Sequence, residues 1–146
     1  MMDHSTEAAG ASCPECGAPA VDGMTCSEQF GVVLAWEAHD PELAAEHFLT
    51  VACYNLQHPA QFTDEALGWL RAAVIDHLDS GRPVADIRRQ AASGFQGKKR
   101  VLRKEADRRP VLRRWRMTIA DVCLPERPEG AAERVRAWAA AIRSEL

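Results

Sequence analysis

Residues 63–83, TDEALGWLRAAVIDHLDSGRP, decide the fold class. Thr63 can cap a helix, and Asp64 and Glu65 favour the positive end of its dipole. Leu67, Leu70, Val74 and Leu78 then recur at helical spacing and make one apolar stripe. Ser80-Gly81-Arg82-Pro83 is a stop signal, with Gly81 suited to a left-handed cap. A strand would need alternation at period two, and this stretch has none.

The same signals recur outward from it. Upstream, Ser27 is a candidate cap for a helix carrying Phe30, Val33 and Leu34. Asp40-Pro41-Glu42 restarts a helix that should run to about Gln57, stopped by Pro59. Downstream, a short helix is expected from Pro83 to about Ala92, one turn over Thr118 to Val122, and a final helix from Glu129 to about Ser144. That last helix places Ala132, Val135, Trp138, Ala139 and Ile142 on one side. Trp36, Trp69, Trp115 and Trp138 each read as core packing. No repeat and no strand pair is evident. The expected fold is all-α: a single domain over 1–146, built as a small helical bundle with an N-terminal knuckle loop packed on it. Its parts are a disordered tail over 1–11, the loop over 12–26, and a helical core over 27–146.

The loop carries Cys13-Pro14-Glu15-Cys16-Gly17, with Cys26 ten residues after Cys16. Two thiolates separated by two residues can face one ion, and Gly17 lets the chain turn beneath the sulfurs. A redox pair is the competing reading, but no βαβ pattern surrounds it. The chain has five Cys, an odd number, and Met1 to Gly10 holds no apolar signal segment. No run approaches the roughly 20 apolar residues of a membrane span. A cytoplasmic setting and no membrane partner are therefore expected, where thiols serve as metal ligands or packing rather than disulfides. Cys53 and Cys123 read as small buried hydrophobes.

Three thiolates and one imidazole make a closed structural zinc site. His47 is the expected fourth ligand beside Cys13, Cys16 and Cys26, because a packed N-terminal loop can reach the first half of its helix. His39 and His58 are the alternatives. His47, Val51, Tyr54 and His58 share one helical face, but His47 and His58 lie roughly 16 Å apart along a continuous helix. Only one of them can therefore complete the site. His58 also reads as a cation favoured at a helix C-terminus. If the ion kept an open position it could activate water, with Tyr54, Gln57 and His58 as candidate acid, base or orienting groups.

Charge is unevenly distributed. Arg82 to Arg116 holds 13 Lys and Arg against Asp86, Glu105 and Asp107, a net of +10, while the rest of the chain carries −13. Within the basic segment 98–116, Val101-Leu102 and Val111-Leu112 read as anchors. Lys98–Arg116 could meet nucleic acid, but Trp115 is its one aromatic, where single-strand binders interleave several. The expectation is that its arginines lie over the protein's own acidic helices.

Three blocks together resemble the uncharacterised bacterial family DUF5946. The first is Cys13-Pro14-Glu15-Cys16-Gly17 with Cys26. The second is His47 to Pro59, similar to His-x-Leu-Thr-Val-x-x-Tyr-x-x-Gln-His-Pro. The third is Met117 to Val122 leading into Glu133 to Ala139. Many members carry Asp where this chain has Ala52, so any role of that Asp is absent here. The resemblance implies that His47, Tyr54, Gln57 and His58 belong to a recurring constellation, and it brings no activity with it. Two functions follow as expectations: a non-enzymatic binding or regulatory module with structural zinc, or a metal-dependent, hydrolase-like enzyme.

Overall fold

The structure, a computed structural model, describes residues 11–94 and 100–146. The tail expected over 1–11 falls outside these residues except for Ala11, as do Lys98 and Lys99 of the basic segment. Seven α-helices occur among the described residues. They are α1 (Cys26–Trp36), α2 (Pro41–Ala45), α3 (His47–Leu56), α4 (Asp64–Ser80), α5 (Val84–Gly94), α6 (Ile119–Val122) and α7 (Ala131–Ser144). No extended strand forms among them, and the two β-bridges are isolated, Val21 with Met24 and Phe62 with Leu102. The chain is all-α. None of the helices is long and apolar enough to cross a membrane.

Local chemistry sets most of the boundaries. Thr63 caps α4 by accepting from the Ala66 N–H, and Gly81 ends it in the left-handed region at φ 68°. Asp40 accepts from the Leu43 N–H, with Pro41 in the first turn of α2. Thr118 and Asp121 form a reciprocal capping box on α6. Two boundaries depart from expectation. Thr25 rather than Ser27 caps α1, again in a capping box, with Glu28. Cys26 is therefore the first residue of a helix rather than the last of a loop. The helix expected from Pro41 to Gln57 breaks at Glu46, which leaves helical geometry at φ −98°, ψ 17°. Glu46 there accepts from Arg136 Nη1 at 2.9 Å, a contact with α7.

The core lies around α7. Its Ala132, Val135, Trp138, Ala139 and Ile142 are all buried, packed with Leu49, Ala52, Cys53 and Leu56 of α3 and with Ile119 and Val122 of α6. Val74 of α4 joins this cluster, with Leu70 and Leu78 half-buried against it. Cys53 and Cys123 are fully buried, as the sequence suggests, and burial pushes both thiols up.

Residues 100–116 form a strap that is irregular apart from one 3-10 turn over Glu105–Asp107. The Thr63 N–H donates to the Val101 carbonyl at 2.9 Å and the Arg103 N–H to the Gln61 carbonyl at 2.8 Å. Farther on, the Arg113 N–H donates to the Glu15 carbonyl of the knuckle at 3.0 Å. The Arg116 N–H donates to the Glu145 carboxylate at 3.1 Å. The expected anchors are corrected: Val101, Leu102, Val111 and Leu112 are the large apolar side chains left exposed, Val111 at 75%. Backbone hydrogen bonds hold the strap instead, with Trp115 and Met117 packed on the core. The expected cover of acidic helices is partial. Arg82 pairs with Asp76 and Arg103 with Asp64 on α4, and Arg89 with Asp86 within the basic stretch. Arg108 and Arg109 instead donate to carbonyls of the strap itself. Arg113 lies over the Trp115 ring at 3.7 Å and donates to the Glu145 carbonyl.

Candidate metal centre

The knuckle is a tight turn built around its sulfurs. The Cys13 N–H donates to the Ala18 carbonyl and the Gly17 N–H to the Cys13 carbonyl, both at 2.9 Å. Gly17 takes φ 78°, a conformation an L side chain would strain. Cys13 Sγ accepts from the Glu15 and Cys16 N–H groups, and Cys16 Sγ from the Ala18 N–H, each at 3.4 Å. The chain then reverses at Asp22-Gly23, both with positive φ, as a Val21–Met24 hairpin requires. That reversal delivers Cys26 to the N-terminus of α1. Gln29, fully buried, donates to the Pro19 and Met24 carbonyls and ties the loop to α1.

Cys13, Cys16, Cys26 and His58 converge, with one donor atom from each lying within 4.8 Å of all the others. His58 Nε2 stands 3.4 Å from Cys26 Sγ and 3.7 Å from Cys13 Sγ. A tetrahedral ion with bonds of about 2.0–2.3 Å separates its donors by about 3.3–3.8 Å, so the spacing suits such an ion, as does a donor set of three sulfurs and one nitrogen. His58 Nδ1 donates to the Tyr54 carbonyl at 2.7 Å, which fixes the tautomer and leaves Nε2 toward the sulfurs. Its ring stacks on Tyr54 at 4.1 Å, and Tyr54 on Phe30 at 4.0 Å. Cys16 and His58 are buried, at 1% and 8% exposure, while Cys13 and Cys26 are half-buried.

The electrostatics drive two of the thiols in opposite directions. Hydrogen bonding with Cys16 holds the Cys26 thiol down against the effect of burial, with His58 and Cys13 helping. The same bond with Cys26, then burial, pushes Cys16 up. Burial disfavours the charged form of His58, but its bonds with Cys26, the Tyr54 carbonyl and Cys13 outweigh that and raise it to about 9. Tyr54 is pushed up by burial and by the neighbouring Cys26. A cation bound here would take the place of these protons.

The structure places His58, and not the expected His47, among the clustered donor atoms. His47 Nδ1 is engaged with Glu37, at 2.9 and 3.0 Å from its two carboxylate oxygens, and His39 sits in the turn Glu37–His39, also outside the cluster. The knuckle packs on the C-terminal end of α3, where Glu15 Oε2 accepts the Ala60 N–H at 2.8 Å. Of the three candidate catalytic groups, His58 is a member of the cluster and Tyr54 stands beside it, its hydroxyl 3.8 Å from Cys26 Sγ. Gln57 points elsewhere: its Nε2 donates to the Met117 carbonyl, and its Oε1 accepts from Trp138 Nε1.

The profile of a family of unknown function, DUF5946, matches residues 11–146. The chain belongs to this family. The match takes in the knuckle, all four clustered donors, the strap and every helix described above. No curated protein and no solved structure matches the chain.

Proposed function

We propose that this DUF5946 chain binds one structural zinc ion through Cys13, Cys16, Cys26 and His58, and acts as a non-enzymatic binding module. The observation that carries the reading is the convergence of four protein donors on one point. Four protein ligands close a tetrahedral site, whereas a catalytic zinc keeps a position for water or substrate. That donor count weighs against the enzyme reading. Zinc fits better than a hard cation, because three soft thiolates and an imidazole suit it and no carboxylate belongs to the group. The chain works as one domain in this reading, since the ion joins the knuckle, α1 and the end of α3. The partner-facing part is the strap, whose exposed Val111 and Leu112 lie between Arg109 and Arg113. Nucleic acid is a poor fit for it, because Trp115 is half-buried under Arg113 and offers no free stacking face.

Elemental analysis of purified wild type and Cys16→Ser tests the reading. Wild type should carry about one zinc per chain and Cys16→Ser should lose it, with a lower melting temperature that chelation of wild type reproduces, because metal binding contributes to folding free energy. Equal zinc in both proteins would refute it.

A further inference from the structure

His47, released from the metal centre, lines a separate small cleft of about 230 Å³ together with Asn55 of α3 and Arg88 of α5. Phe48, Val51 and Leu70 supply its apolar wall. His47, Val51 and Asn55 fall four residues apart and so share one face of α3. Behind His47 stands Glu37, its side chain 16% exposed against 44% for the histidine. The bond from Nδ1 to the Glu37 carboxylate places a proton on that nitrogen, so that in the neutral imidazole Nε2 is the acceptor. Nε2 has no hydrogen-bond partner among the described residues, and the exposed Arg88 has no ion pair among them.

Each group states a requirement for what would fill the cleft. The Arg88 guanidinium presents a planar fork that matches a carboxylate. It is the one side chain on the lining that carries a charge at every physiological pH, and one cation balances a monoanion better than a phosphate dianion. His47 Nε2, as an acceptor, calls for a hydroxyl donor. The apolar wall and the small volume call for a short hydrocarbon part. We propose that this cleft binds a short-chain hydroxycarboxylate, its carboxylate on Arg88, its hydroxyl donating to His47 Nε2 and its hydrocarbon against Phe48, Val51 and Leu70. Glu37 is a positioning residue, acting through the tautomer of His47. None of these groups belongs to the metal cluster, so the proposal stands apart from the zinc reading.

The test is an NMR titration of the full-length, zinc-supplemented, ¹⁵N-labelled protein with lactate, propionate and inorganic phosphate, following the histidine ring nitrogens and the backbone amides. Lactate should saturably shift the His47 ring and the amides of α3 and α5 while the His58 ring stays unmoved. Propionate, which lacks the hydroxyl, should bind about tenfold more weakly, the equivalent of one net hydrogen bond. Arg88→Met, at an exposed position, should weaken lactate by about tenfold or more with unchanged circular dichroism. Glu37→Gln should give a mixture of His47 tautomers in the ¹⁵N shifts and erase the advantage of lactate over propionate. The proposal is overturned if lactate leaves the His47 ring unmoved, if phosphate or propionate binds as tightly as lactate, or if Arg88→Met binds lactate as wild type does.

Discussion

Gln57 and His58, just past the end of α3, are neighbours in sequence but serve different partners. His58 turns to the sulfurs, while Gln57, 1% exposed, turns inward and bridges the Met117 carbonyl, at 2.8 Å, to the Trp138 indole N–H, at 3.2 Å. Gln57→Leu keeps the bulk but leaves a buried donor and a buried acceptor without partners, at about 1–3 kcal/mol for each. Urea denaturation should show a loss of about 2–6 kcal/mol with zinc content unchanged; a loss within about 0.5 kcal/mol would contradict this role. The sequence groups Tyr54, Gln57 and His58 on one motif, and helical phase alone separates their directions only roughly. Which His met the knuckle was not legible, because helical spacing orders residues on α3 and says nothing about which end the loop approaches. The contact that decides it, Glu15 with the Ala60 N–H, spans 45 residues. The Glu37–His47 bond was hidden for a related reason, since the turn Glu37–His39 and the break at Glu46 fold one residue back over the other.

Helix α1 couples ordinary capping to the metal centre. Thr25 accepts the Glu28 N–H at 3.2 Å, and Glu28 accepts the Thr25 N–H at 2.9 Å, which sets Cys26 in the first turn. Thr25→Ala removes half of this box and should cost about 1 kcal/mol. Because the same cap positions Cys26, zinc affinity measured by chelator competition should fall too. Lower stability with unchanged affinity would show that Cys26 is placed by other contacts. Helix starts marked by Asp40-Pro41, Thr63 and Thr118 were legible because the cap is a local chemical event. The break at Glu46 was not, having neither Pro nor Gly; the Arg136 that pairs with Glu46 lies 90 residues away. The apolar side of α7 was legible but for Ala131 in its first turn, because a helix with one polar face declares what it buries.

Across the whole molecule, the metal centre and the strap are linked through Glu15, whose carbonyl accepts the Arg113 N–H and whose carboxylate accepts the Ala60 N–H. Removing the ion should loosen that joint before it loosens the far end of the strap. Hydrogen exchange after chelation should therefore speed up at the Arg113 amide more than at Thr63, which bonds to Val101; equal change at both amides would argue against the linkage. The strap itself was illegible as structure, because Arg-rich irregular chain has no period, and Val111-Leu112 carries the same letters exposed as it would buried. The all-α class was legible because it sums many local signals; of the clustered donors the three cysteines were legible from their spacing, and the histidine was not, because the cluster joins three segments at one point. That junction is the central claim, and zinc content by native mass spectrometry of His47→Ala and His58→Ala tests it most directly. The account predicts that His47→Ala retains about one zinc and His58→Ala loses it, whereas loss in His47→Ala with retention in His58→Ala would contradict it.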